Sequence, residues 1–177
     1  MATSVREIQK PLAERYRAHP EDAVKRYRLR SNPGEPGDVF HSSVTSLEGA
    51  GAGSTFRTAA DPKVGGPGQA PTPGDLLLAA LATCQESSLR MVASALGIAL
   101  ASVEVEVTGE IDVRGALMLS REVPVGFGSL ACRTRVALAP GTPPAAAGKL
   151  FQAAERCCIV LATLRHAPEI TTSFEVA

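Results

Sequence analysis

The chain has 177 residues, 45% apolar and 20% charged, and its 18 basic and 18 acidic side chains cancel. That length supports one core of ordinary size. A net charge of zero gives no reason to propose a nucleic-acid or membrane partner, and the longest apolar run, Leu76 to Ala82, is far short of the roughly 20 residues a bilayer helix needs.

Aromatic residues are 4% of the chain and Trp is absent, so the core must come from Leu, Val and Ala. The opening Met-Ala-Thr-Ser-Val-Arg-Glu-Ile has no apolar h-region, and four cysteines without dense spacing predict reduced thiols in a cytoplasmic protein. Residues 4–28 carry a weak helical pattern that Pro20 divides into two short helices. Asn32-Pro-Gly-Glu-Pro-Gly breaks the chain. Residues 39–47 and 54–60 read as two strands joined by the glycines of 49–53, and 65–71 as a loop.

The next helix has the strongest start signal. Thr72 can cap it, Pro73 suits its first position, and Asp75 completes a variant of the capping box. It is expected to run to Leu96, where Gly97 can turn left-handed. Val103, Val105 and Val107 alternate with Glu104, Glu106 and Thr108, a half-buried strand that continues to Val113 and turns near Gly115. Residues 128–138 read as another strand, 144–157 as an Ala-rich helix, 159–165 as a shorter helix, and Ile170 to Val176 as a closing strand. The order of elements makes an α+β domain.

Two helical thiols carry the chemical interest. Leu77, Leu81, Cys84, Ser88, Met91 and Ala95 recur at steps of three and four, so Cys84 points where an apolar stripe points. It lies beyond the reach of the helix dipole, so activation would require a neighbouring cation, for which Arg is suited. From spacing alone it is either a small core residue or a reactive thiol. Cys157 and Cys158 sit where two helical pieces join; a helix starting there favours a thiolate at Cys158, while the plainer reading is two small core residues. Cys132 falls at an alternating strand position and reads as packing. His19, His41 and His166 are scattered, and no Cys-x-x-Cys, Gly-x-Gly-x-x-Gly, Walker loop or Gly-x-Ser-x-Gly occurs, so neither a metal nor a cofactor is expected.

The run Pro73 to Ile98, with Pro-Gly-Asp-Leu-Leu-Leu-Ala-Ala-Leu-Ala-Thr-Cys at its start, resembles the first cysteine helix of the OsmC and organic hydroperoxide resistance superfamily. Ala154-Glu-Arg-Cys-Cys-Ile-Val-Leu-Ala-Thr-Leu is similar to that superfamily's second cysteine segment, with Cys158-Ile-Val standing where the family usually has Cys-Pro-Val. The strand Val103–Val113 followed by Arg114-Gly also fits. The resemblance covers residues 38–177 and leaves 1–37 as a helical extension. It implies antiparallel sheets wrapping long central helices in an intertwined homodimer. It also implies a thiol peroxidase of oxidative-stress defence: Cys84 attacks an organic hydroperoxide, Cys158 resolves the sulfenic acid as a disulfide, and a dithiol reductant such as a lipoylated protein resets the pair. The family holds the reactive thiolate with an Arg from an early strand, a role that falls here to Arg57, with Arg30 the alternative. Peroxidase members carry a Glu ten residues before the first cysteine; this chain has Gly74 there, with Asp75 beside it. That departure sets it nearer the less characterised OsmC-like branch, and the alternative reading of this chain is a non-peroxidatic OsmC-like protein that binds a small apolar or thiol-reactive ligand.

Overall fold

A computed structural model describes residues 4–176; residues 1–3 and Ala177, the outer ends of the two expected segments, lie outside it. The fold is mixed α and β with antiparallel sheets and one long helix. The chain divides into two compact units, one built from residues up to Ala79 with Val107–Ala131, the other from Ala80–Glu106 with residues from Cys132 onward.

The first unit opens with α1 (Val5–Ala18), started by a full capping box between Ser4 and Glu7. A 3-10 turn at Pro20–Ala23 follows, as Pro20 requires. Three strands, β1 (Leu29–Ser31), β2 (His41–Ser46) and β3 (Thr55–Ala59), then form an antiparallel sheet in chain order. The β2–β3 connection uses Gly49 and Gly53 at φ of 85° and 87°, the left-handed geometry that favours glycine. Strand β1 was not expected from its three residues. It exists because β2 offers an edge, and the Asn32 amide clamps the pairing by donating to Ser43 Oγ at 2.9 Å and Thr45 Oγ1 at 3.0 Å.

Helix α2 (Pro73–Leu96) runs through the residues of both units. Its start is the expected box: the Thr72 amide and hydroxyl both donate to Asp75 Oδ2 at 2.8 Å, and the Asp75 amide donates to Thr72 Oγ1 at 3.1 Å. Hydrogen bonds from the Thr72 amide, and then from its hydroxyl, hold the Asp75 carboxyl below the usual aspartate range. A lowered carboxyl contributes stability above its unfolded value and loses it as pH falls through the folded one. Thr72→Ala is therefore expected to cost about 1 kcal/mol at neutral pH. Thermal melts should show that deficit shrinking in acid, as Asp75 protonates in both proteins. At the other end Gly97 takes φ 68°, and the Ile98 amide closes back on the Ala93 carbonyl at 2.8 Å.

In the second unit Leu89, Ala93, Leu150 and Ala154 form the buried cluster, with Val92, Ile98, Leu100, Val103 and Val136 packed on it. Strand β4 (Leu100–Glu110) half-buries Val103, Val105 and Val107 and exposes the residues between them, as its alternation predicts. It stops at Glu110 rather than Val113 because the Asp112 carboxylate takes the Arg114 amide at 3.0 Å and starts the one-turn helix α3 (Val113–Ala116). Strand β5 (Ser129–Leu138) pairs with β4, and α4 (Ala146–Cys157) and α5 (Ile159–Arg165) follow.

Two expectations fail. Ile170 to Val176 forms no strand: a strand requires a ladder partner, and none pairs with it here, so Ile170, Phe174 and Val176 stay exposed. On α2 the buried line is Leu81, Gln85, Ser88, Leu89 and Ala93, while Leu77 and Met91 are exposed. Apolar residues surround this helix, so its composition does not choose a face. The α4 residues that meet it do.

Candidate functional site

Two ridges of side chains at steps of four build the thiol site, both within the second unit. On α4 they are Leu150, Ala154 and, at the end of the helix, Cys158, each 0% exposed. On α2 they are Leu81, Gln85, Leu89 and Ala93. Leu89 and Ala93 meet Leu150 and Ala154. Gln85 precedes Leu89 by one turn on α2, and Cys158 follows Ala154 by one turn; both are buried. The half-buried Cys84 lies close enough to Cys158 to raise its thiol.

The backbone explains why Cys158 is held there. It leaves the α4 helical path at φ −77° and ψ 102° and becomes the residue that precedes α5. The Leu161 amide in the first turn of α5 favours its thiolate, as a helix start should. Burial outweighs that amide and pushes the thiol up, with the hydrogen bond to Cys84 and the charges of Cys84 and Cys132 acting in the same direction. Of the two sequence readings of Cys158, a thiolate at a helix start or a small core residue, the structure shows the buried residue. The Cys158 thiol is thereby held above its ordinary value. Cys157, its neighbour, is exposed. Cys132 is exposed as well, not packed as its strand position predicted; partial desolvation raises its thiol against a hydrogen bond from Thr134.

The structure therefore brings Cys84 and Cys158 together. Arg57 belongs to the first unit, where it lies exposed on β3 opposite Ser43, and its side chain makes no hydrogen bond or ion pair among the described residues. Arg30, on β1 opposite Thr45, is in the same unit and is also exposed.

No carboxylate replaces the family Glu at Gly74. A Cβ there would stand 3.3 Å from the Phe127 ring, which also lies 2.8 Å from where a Cβ on Gly109 would be. The two glycines make room for this aromatic ring. Asp75 is committed to its cap with Thr72. The first unit also holds a cavity of about 1190 Å³ whose walls include Phe40, Leu78, Ile111 and Phe127; neither cysteine lines it. Among the described residues no group of three or more His, Cys, Asp or Glu side chains is placed to hold a metal ion, and no helix is long and apolar enough to cross a membrane.

Gln85 is the residue that reading the sequence missed. Its side chain is 8% exposed and its Oε1 has no hydrogen-bond partner among the described residues, a costly arrangement for a buried acceptor. Only its place beside Cys84, in a helix otherwise rich in Ala and Leu, singled it out in the sequence.

Residues 66–173 match the family model described as OsmC-like protein. No curated protein matches the chain. Among solved structures it is similar to an OsmC-like protein of Vibrio cholerae, at 14% identity and TM-score 0.62 over 79% of this chain and 94% of that one. It is similar to an OsmC-like protein of Mycoplasma pneumoniae at 17% identity and TM-score 0.60, covering 81% and 89%. It is also similar to an organic hydroperoxide resistance protein from Legionella pneumophila at 20% identity and TM-score 0.56, covering 81% and 91%.

Proposed function

We propose that this chain, which belongs to the OsmC-like protein family, is a cytosolic thiol peroxidase that reduces organic hydroperoxides through Cys84 and Cys158. The observation that carries this reading is the nearness of the two thiols, one sulfur half-buried and the other fully buried. The thiolate of Cys84 attacks the terminal oxygen of the hydroperoxide. The O–O bond breaks, the alcohol leaves, and Cys84 becomes a sulfenic acid. Cys158, already in contact, loses its proton and attacks the Cys84 sulfur; a disulfide forms and the departing hydroxide takes up a proton as water. A dithiol reductant then restores both thiols by exchange.

Arg57 is the proposed cation for the Cys84 thiolate. The partner in the active form is a second copy of the chain. The uncovered apolar residues Leu77 and Met91 on α2, with Ile170, Phe174 and Val176 at the end, are surface that an intertwined homodimer would bury.

The test is direct. The reduced protein is mixed with one equivalent of cumene hydroperoxide, with hydrogen peroxide in parallel, and its disulfides are mapped by mass spectrometry. A Cys84–Cys158 disulfide formed within seconds, faster with the organic peroxide, supports the peroxidase. Two free thiols after minutes reject it. The second reading, a non-peroxidatic binder of a small apolar ligand, then takes its place. Gly74 without a carboxylate, and a cavity that the cysteines do not line, favour that reading.

A further inference from the structure

A third thiol lies near the pair. Strand β5 turns one face toward the core of the second unit: Thr134, Val136 and Leu138 are half-buried on it, and Val136 packs on the cluster of Leu89, Ala93, Leu150 and Ala154. Cys132 continues that face toward the start of the strand, and Cys158 continues the Leu150 and Ala154 ridge from the same cluster. The charge of Cys132 reaches the buried Cys158 thiol, as that of Cys84 does, so Cys158 has one thiol neighbour on α2 and another on β5. The three differ in access. Cys158 is 0% exposed and Cys84 is half-buried, whereas Cys132 is exposed. A reductant in solution therefore meets Cys132 more readily than a disulfide closed between Cys84 and Cys158.

We propose that Cys132 is an exchange thiol that carries reducing equivalents from the surface to the buried disulfide. This rests on the peroxidase reading and adds a residue for the step that resets the pair. Cys132 gives its proton to water, and its thiolate attacks the Cys158 sulfur. A Cys132–Cys158 bond forms, the Cys84–Cys158 bond breaks, and the electron pair leaves on Cys84 as the thiolate needed for the next peroxide. One thiolate of the dithiol reductant then attacks Cys132 at the surface, and the Cys158 sulfur leaves and takes up a proton. The reductant's second thiol displaces Cys132 from the mixed disulfide, and Cys132 recovers its proton. The reductant ends as a disulfide, and the three protein sulfurs are reduced. Attack at Cys158 frees the reactive Cys84 first and spares the reductant from reaching a buried sulfur.

The experiment uses the full-length chain, with dihydrolipoamide as the dithiol. The Cys84–Cys158 disulfide is formed with cumene hydroperoxide, excess peroxide is removed, and reduction is followed by acid quench and mass spectrometry. Wild type is compared with Cys132→Ser and Cys132→Ala, and with Cys157→Ser, which removes the other exposed thiol. Wild type should pass through a Cys132–Cys158 disulfide. Both Cys132 variants should be reduced at least about tenfold more slowly, since the reductant must then attack the buried bond itself, and Cys157→Ser should match wild type. A second arm leaves Cys132 in place: Cys84→Ser is oxidised with diamide, which should join Cys132 to Cys158. Cys132 variants reduced at the wild-type rate, equal slowing in Cys157→Ser, or free Cys132 and Cys158 thiols after diamide would overturn the assignment. A wild type that forms no disulfide with the hydroperoxide removes the peroxidase reading instead. The diamide arm needs no peroxide and still decides whether Cys132 reaches Cys158.

Discussion

Cys84→Ser is expected to reduce hydroperoxide turnover to background, a loss of at least roughly 10³-fold, because a serine hydroxyl in the same place is not appreciably ionised near neutral pH. Cys158→Ser should behave differently. Its Cys84 still takes one oxygen from the peroxide, but no thiol stands in contact to close the disulfide. That variant should accumulate a sulfenic acid that dimedone labels on Cys84, and fail to turn over with a dithiol reductant. Steady-state peroxide consumption and intact-mass analysis of the two variants distinguish the roles. Unchanged consumption in Cys84→Ser would make the thiols inert and return Cys84 to a packing residue.

Leu150→Ala should give the largest stability loss. Leu150 is 0% exposed and packs in the cluster of Leu89, Ala93 and Ala154. Truncating such a side chain forfeits its transfer energy and leaves a cavity, about 3 kcal/mol in all. For a chain of this size that is roughly 10 °C in Tm, and a sizeable share of a typical folding free energy. The position also bears on the site. Leu150, Ala154 and Cys158 follow one another at steps of four on the same buried ridge, so the contact that anchors α4 also seats Cys158. Urea unfolding measures the loss. The cysteine pair reports the seating: in Leu150→Ala, Cys158 should be alkylated faster than in wild type. A loss below about 1 kcal/mol would mean that the α2–α4 contact collapses around the gap.

The signals that proved legible are local. The Thr72–Asp75 box, the left-handed Gly97, the glycines of the 49–53 turn and the valine alternation of β4 act through a few neighbouring residues, and all appear as the sequence predicts. The cysteine pair was legible only through its resemblance to a family, because nothing in the spacing of Cys84 and Cys158 requires the two sulfurs to meet. Cys132 was misread as packing because alternation identifies a face of β5 but not what covers it.

By itself, then, the sequence determined most of the elements, the start and end of the long helix, the α+β class and the family, since propensity, capping and periodicity are written within each segment. The tertiary structure alone decided which side of α2 is buried, that Cys158 is buried close to Cys84, and that Gln85 stands buried with an acceptor unpaired among the described residues. It also left Ile170 to Val176 without a ladder and gave Leu29–Ser31 one. The physical reason is common to all of these. Burial, desolvation and strand pairing are properties of the groups that come to lie opposite a residue, and distant parts of the chain supply them only once it has folded.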